Sequence, residues 1–202
     1  MIQGKLKVQP QGRLIILTGK TASGKDTIKS ALLNKYPKFK KVITTTSRIP
    51  RPNEKEGVDY YFLTRSEFEA KNNQGEFVEY VEYGGNLYGT YKTELKQALS
   101  FDLIWRIDPS RAGEVREFIK RSYPKELAEK LIKSVLVIYI TTPSKVILER
   151  LQKRGLGEIE IQKRMADDER MWQQYKDNYD FIVDNIPGKL DKTLDKIEQI
   201  IG

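Results

Sequence analysis

The residues best suited to chemistry form one short run, Gly19-Lys20-Thr21-Ala22-Ser23-Gly24-Lys25. Glycines at its two ends permit backbone angles that a side chain forbids. Successive N–H groups can then turn inward on an anion, and a helix starting just after the run adds its positive end. Lys25 would reach the outer phosphates of a nucleotide as a point charge. A Gly-x-x-x-x-Gly-Lys run is a phosphate-binding loop when a strand precedes it and a helix follows. Both are expected here. Leu14-Ile15-Ile16-Leu17 is an unbroken apolar run that suits a strand buried on both faces, and a helical pattern extends from about Thr27 to Lys35. Without that context the run would be a glycine-rich turn carrying a solvated lysine. The position after the lysine usually supplies a hydroxyl for Mg²⁺. Here it is Asp26, also a hard oxygen ligand, whose charge beside a polyphosphate calls for the metal or a cation.

Other candidates are weaker singly. Arg48 and Arg51 flank Pro50, with Pro52 following, so two guanidiniums sit on a stiffened loop that suits a phosphate or is a solvated surface loop. In the expected strand Glu76–Tyr83, alternation puts Phe77, Glu79, Val81 and Tyr83 on one face. Glu79 then lies among apolar residues, which is costly unless something donates hydrogen bonds to it or the face is exposed. Asp108 ends a strand expected over Phe101–Asp108, at the edge where α/β sheets bind ligands, and Arg106 shares its face. Arg150 and Arg154 are four apart on a helix that meets Gly155-Leu156-Gly157 before a second helix begins near Ile159. That connection suits a mobile lid over phosphates, or a solvated helical hairpin.

Composition narrows the chemistry further. The 202 residues are 39% hydrophobic, enough for one domain with a core, and contain neither cysteine nor histidine. Thiolate metal sites, disulfides and imidazole catalysis are excluded. No apolar segment approaches the roughly 18 residues needed to span a membrane. The opening MIQGKLKVQPQG lacks a signal-peptide core and reads as a short mobile lead-in, so a cytoplasmic protein without a membrane partner is expected. The net charge of +8 alone admits a nucleic-acid partner. No nucleic-acid-binding motif accompanies it, so the favoured partners are small phosphorylated ligands held by selected arginines.

Elements to position these groups follow in order. Strands are expected over Lys41–Thr46, Gly57–Phe62, Glu76–Tyr83, Phe101–Asp108, Val135–Ile140 and Phe181–Val183. Gly84-Gly85 makes a hairpin turn, and Ser66-Glu67-Phe68-Glu69 reads as a capping box opening a helix to about Asn73. Asn86–Thr90 leads into a helix to about Leu99. Further helices are expected over Arg111–Tyr123, from Thr141-Thr142-Pro143 through Arg154, from Ile159 to Tyr175 and from Lys189 to Ile201. Alternating strands and helices give an α/β fold with a parallel sheet, interrupted from about Thr44 to Thr93 by hairpin-like strands of a small inserted subdomain.

Taken together the chain resembles a guanylate kinase from Leu14 to Ile201. Thr44-Thr45-Thr46-Ser47-Arg48-Ile49-Pro50-Arg51 resembles that family's Ser-x-Thr-Thr-Arg-x-Pro-Arg. Gly57 to Phe62 resembles Gly-x-Asp-Tyr-x-Phe, Glu76 to Glu79 resembles Glu-Phe-hydrophobic-Glu, and Tyr88 to Thr90 resembles Tyr-Gly-Ser/Thr. Arg150 to Gly155 resembles the Arg-Leu-x-x-Arg-Gly start of a lid, with a later lid arginine at Arg164 and the closing Asn at Asn185. The resemblance implies a P-loop NTPase-type parallel sheet flanked by helices, with a GMP-binding subdomain near 44–93, a helical lid near 149–176 and the core in 13–43, 94–148 and 177–202. It implies phosphoryl transfer from ATP to GMP, assisted by Mg²⁺. Gly19, Lys20, Thr21, Ala22, Ser23, Gly24, Lys25, Asp26 and Thr27, with Asn185, would hold ATP. Arg48, Arg51, Tyr60 and Tyr88 would hold the GMP phosphate, while Glu79, Thr44, Thr90 and Asp108 would read guanine. Lys25, Arg48, Arg154 and Arg164 would act on the transferring group, and Asp26 on the metal.

Four departures stand out. Asp26 replaces the metal-binding hydroxyl, and Arg106 stands where the family has an acid two residues before Asp108. Pro109-Ser110-Arg111 does not match the usual Gln-Gly, and the lid segment is about one residue short. The paired reversal of sign suggests that Asp26 and Arg106 form an exchanged charge pair. A P-loop kinase with another acceptor, or a binding module on the same fold, are the competing readings.

Overall fold

The computed structural model describes residues 12–202; the lead-in expected at the N-terminus lies outside them. In chain order the elements are β1 (Leu14–Gly19), α1 (Lys25–Lys35), β2 (Lys40–Lys41), β3 (Thr45–Thr46), β4 (Tyr61–Phe62), α2 (Arg65–Asn73), β5 (Phe77–Tyr83) and β6 (Asn86–Tyr91). They continue with α3 (Lys92–Lys96), β7 (Leu103–Arg106), α4 (Pro109–Ser122), α5 (Lys125–Ser134), β8 (Val135–Thr141), α6 (Ser144–Lys153), α7 (Glu158–Tyr175), β9 (Phe181–Asp184) and α8 (Leu190–Ile201). No helix among the described residues is long and apolar enough to cross a membrane.

A central sheet runs β2-β7-β1-β8-β9, and every pairing in it is parallel. The apolar run of β1 explains why it is central. Leu14 and Ile16 point into one core with Trp105, Val137, Tyr139 and the inner faces of α4 and α5. Ile15 and Leu17 point into a second core with Ile28 and Leu32 of α1 and Ile197 and Ile201 of α8. All four β1 residues are fully buried, so truncating any one to alanine removes about 2–5 kcal/mol. Two cores separated by one strand hold the end of β1, where the Gly-Lys loop begins, in a fixed place.

The second sheet runs β4-β3-β6-β5. Its β3 and β4 are parallel, whereas β6 pairs antiparallel with β3 and β5. Gly84 and Gly85 both have positive φ, as a two-residue hairpin turn requires. A small cluster of Phe68, Phe77 and Leu87 packs α2 against this sheet.

Several expectations need correction. The strand expected over Lys41–Thr46 is two strands, one in each sheet: Val42 N–H donates to Ile104 O in the first, and Thr44 O accepts from Tyr61 N–H in the second. One segment therefore carries the chain between the sheets. The strand expected over Gly57–Phe62 is confined to Tyr61–Phe62, because Gly57 adopts φ +67° and Asp59 N–H turns back to Lys55 O. The capping box belongs to Thr64 and Glu67, which exchange side-chain and backbone hydrogen bonds two residues earlier than expected. The strand reaching Asp108 stops at Arg106, since the Asp108 side chain caps α4 instead. The residues after Pro124 form α5, which was not expected; its Ala128 and Leu131 pack into the first core.

The alternation in β5 is also broken. A register shift between Phe77 and Glu79 turns Phe77 onto Phe68, ring centroids 4.5 Å apart, while Glu79, Val81 and Tyr83 face a cleft between the sheets. An inserted residue reverses the face of everything before it.

Candidate active site

The cleft holds about 740 Å³ and is lined from β1, the following loop, both sheets, α4 and the region of α6 and α7. Among the expected site residues, Gly19, Thr21, Ala22, Ser23, Gly24, Lys25, Asp26 and Thr27 line one end, and Thr44, Tyr60, Glu79, Tyr88, Thr90 and Asp108 line the other. Arg154 and Arg164 also reach its wall. Lys20, Arg48, Arg51 and Asn185 are not on it.

The loop is held by contacts from three directions. A Cβ on Gly19 would strike the Ile140 carbonyl, and one on Gly24, at φ +94°, would strike the Asn185 amide. Asn185 is buried and donates to Ser23 O at 2.7 Å, so it braces the loop from behind. Arg150 Nη1 donates to Ala22 O at 2.7 Å. Asp168 of α7 accepts from Thr21 N–H at 2.7 Å and from Thr21 Oγ1 at 3.3 Å. The Lys25 ammonium donates to Gly19 O at 2.8 Å and Lys20 O at 2.6 Å. Burial, then Arg106, lowers the Lys25 pKa to about 8, so it remains mostly charged at neutral pH. A carboxylate on a loop N–H occupies a position that suits a phosphate oxygen. Burial pushes the Asp168 carboxyl up, partly offset by the Thr21 hydrogen bonds and Lys25.

Asp26 and Arg106 do meet: Arg106 Nη2 lies 3.3 Å from Asp26 Oδ2, with both side chains about half exposed or more. Burial pushes the Asp26 carboxyl up, but Arg106 and Lys29 outweigh it and hold it below its ordinary value. Among the described residues no three acidic side chains converge as a metal cage. Mg²⁺ needs none when it keeps its waters and is held by phosphates and one or two carboxylates. The exposed Asp26 carboxylate fits that requirement.

At the other end, Glu79 is 6% exposed. Its Oε1 accepts from Thr90 Oγ1 at 2.9 Å, and its Oε2 lies 3.6 Å from Arg111 Nε. Burial pushes its pKa up to about 7, against the opposing pull of Thr90 and Arg111. Asp108 Oδ1 caps α4, accepting from the N–H groups of Ser110 and Arg111 and from Ser110 Oγ. Arg48 is paired with Glu54 at 2.9 Å and stands 5.5 Å from the Tyr60 ring, behind the tyrosines that face the cleft. Arg51 N–H donates to the same Glu54 carboxylate. Arg164 is paired with Glu160 at 2.7 Å.

Two charged cleft residues escape the sequence reading of the site, Asp168 and Arg111. Asp168 lies four residues beyond Arg164 on α7, so helical spacing alone puts it on the same face. Arg111 lies in the first turn of the helix that leaves β7, the position from which α/β proteins approach their ligands.

A parallel sheet with a Gly-Lys loop between its central strand and a helix, opening on a cleft whose far end holds a buried carboxylate, defines a P-loop nucleotide-binding protein of the kinase type. A guanylate kinase family model matches residues 11–202. The guanylate kinase of Mycoplasma genitalium is 33% identical over 97% of this chain and 78% of its own, and that of Desulfitobacterium hafniense is 35% identical over 91% and 88%. The crystal structure of guanylate kinase from Anaplasma phagocytophilum is 24% identical and shares the fold, with a TM-score of 0.66 over 95% of this chain and 85% of that one. The chain belongs to the guanylate kinase family.

Proposed function

We propose that this protein transfers the γ-phosphoryl group of ATP to GMP, giving ADP and GDP. The observation that carries this reading is a buried carboxylate, Glu79, in the same cleft as the Gly19–Lys25 loop. Guanine offers N1–H and the exocyclic N2–H₂ side by side, and one carboxylate accepts from both. Adenine presents a lone pair at N1, which would face the carboxylate lone pairs. A site that buries an acceptor without its donor rejects the wrong base strongly. Thr90 holds one oxygen of Glu79 and so sets the plane of the acceptor.

In this reading the 44–93 region is the acceptor-binding subdomain and 149–176 a lid. A GMP phosphate oxygen attacks Pγ in line as the bond from Pγ to the β-phosphate oxygen breaks. Such transfer asks for positioning and charge neutralisation more than for a strong base, which suits a chain without histidine. Loop N–H groups and Lys25 hold the β- and γ-phosphates. Arg154 and Arg164 neutralise charge from the lid side, and Arg164 exchanges Glu160 for phosphate. Arg48 turns from Glu54 toward the GMP phosphate beside Tyr60 and Tyr88, where the Arg51 side chain joins it. Asp26 would hold Mg²⁺, which supplies charge screening on the β- and γ-phosphate oxygens when bound. Arg106 would offset the extra negative charge that Asp26 brings beside the triphosphate.

The test is ADP release with ATP and Mg²⁺, comparing GMP, AMP, UMP and CMP as acceptors. Turnover confined to GMP is expected. Turnover with another acceptor, or none, overturns the reading. For the charge exchange, Asp26→Thr combined with Arg106→Asp should be more active than either change alone; additive losses would overturn it.

A further inference from the structure

Arg111 has no counterpart in the family pattern, since it falls within the Pro109-Ser110-Arg111 stretch that replaces the usual Gln-Gly. In the fold it is the third residue of α4, its side chain 19% exposed. Nε lies 3.6 Å from Glu79 Oε2 and 4.0 Å from Asp108 Oδ2. The Phe118 ring, two turns further along the same helix, has its centroid 5.9 Å from the guanidinium carbon. Arg111 therefore spans the two carboxylates expected to read the base.

The distances decide how it can act. At 3.6 Å the guanidinium is outside hydrogen-bond range of the Glu79 oxygen, so it leaves the lone pairs of that oxygen free for a ligand. It is still close enough that its charge is felt strongly in a buried pocket. We infer that Arg111 is a positioning residue for base specificity: its charge favours the anionic acceptor form of Glu79, ready for a purine with two adjacent N–H donors, without occupying the acceptor itself. The inference rests on the guanine reading for the identity of that purine, but not for the pairing.

The chemistry favours such a cation. A protonated Glu79 presents an O–H donor to guanine N1–H, donor against donor, and the discrimination against adenine is lost. The groups that face Glu79 are Thr90 from β6, a neutral donor, and Arg111 and Asp108 from the start of α4. Asp108 opposes ionisation and Arg111 favours it. Even with Thr90 and Arg111 opposing burial, the carboxyl is pushed up to about 7, so little margin remains at neutral pH. An opposite charge at this range lowers a carboxylate pKa by about one unit or more, a change of about tenfold in the ratio of ionised to protonated carboxyl.

The experiment uses the whole protein with Arg111→Gln and Arg111→Lys. In ligand-free protein the Glu79 carboxyl carbon, identified by its loss in Glu79→Gln, is followed by NMR from pH 5 to 9. Arg111→Gln should titrate at least one pH unit above the parent, and Arg111→Lys close to the parent. In kinetics, Arg111→Gln should raise the KM for GMP about fivefold at pH 7, lower kcat by less, and approach the parent as pH rises to 8.5. Arg111→Lys should restore most of the KM. An unshifted carboxyl titration in Arg111→Gln overturns the inference. So does a KM defect that is independent of pH and shared by Arg111→Lys, since that would mean direct contact between the guanidinium fork and the base. If the carboxyl shifts but GMP is not a substrate of the parent, the guanine reading fails while the pairing stands.

Discussion

The two ends of the cleft are built in opposite ways. The loop end comes from one contiguous segment, and its ligand-facing groups are largely backbone N–H donors bounded by Lys25. The rest of the protein braces it through Asn185 and Arg150, while Asp168 occupies one of its N–H groups. The end proposed to hold the base depends on one buried charge assembled from three distant segments: Glu79 on β5, Thr90 on β6 and Arg111 on α4. A loop of backbone amides binds any polyphosphate, because every residue has an N–H. Telling one base from another needs side chains of defined charge state in defined places. Generic binding is therefore local in sequence, and specific binding is not.

Substitutions at the two ends should separate these modes of failure. The largest effect is expected from Glu79→Ala, which should lower kcat/KM for GMP by about 10⁴ and leave the KM for ATP little changed; a similar loss in both would mean that the base end is structural. Lys25→Met should reduce kcat by about 10³ with a smaller effect on the KM for GMP. Parallel losses in kcat and GMP affinity would show that the two ends are not independent.

Ionisation of Glu79 should appear as pH dependence. Only the anion accepts from guanine, so kcat/KM for GMP should fall about tenfold per pH unit below about 7, the pKa of the carboxyl in the free enzyme. A profile flat from pH 6 to 8 would contradict this. Removing the carboxylate that occupies the loop should have a milder effect. Asp168→Ala frees the Thr21 N–H that the carboxylate holds and should lower the KM for ATP about fivefold, as one net hydrogen bond is worth; an increased KM would make Asp168 a support of the loop rather than a competitor of phosphate.

The smallest effect concerns stability. The folded Glu79 binds its proton more tightly than the unfolded one, so ionisation in the fold opposes stability. That penalty is absent below the ordinary carboxylate range and grows as pH rises from about 4.5 to about 7. The melting temperature of Glu79→Gln relative to the parent should therefore rise across that interval. A difference that does not change with pH would show that Glu79 is not the titrating group.

Legibility in the sequence followed the range of the interactions. The Gly-Lys loop, its strand and its helix were readable because period and glycine placement act within about 20 residues. Alternation marked Glu79 as a carboxylate among apolar residues in want of donors, whereas the proposal that it reads a base came from the family resemblance alone. Its neighbours along the strand could not be assigned, because the register shift before it moved Phe77 to the other face. The split between β2 and β3 was invisible for a similar reason: Val42 and Thr44 are equally good strand formers in either sheet, and only the available partner strands choose. The exchanged pair at Asp26 and Arg106 was legible as a matched reversal of sign, and the fold brings the two within 3.3 Å.

The sequence by itself determined the phosphate-binding loop, the alternating α/β order and the set of charged groups available to a nucleotide, since these depend on local backbone preference and on composition. Tertiary structure alone decided that Arg111 faces Glu79 and that Asp168 seats on Thr21, 147 residues away in the chain. Contacts at such separations arise from how helices pack over the sheet ends, and no local pattern records which side chains that packing will bring together.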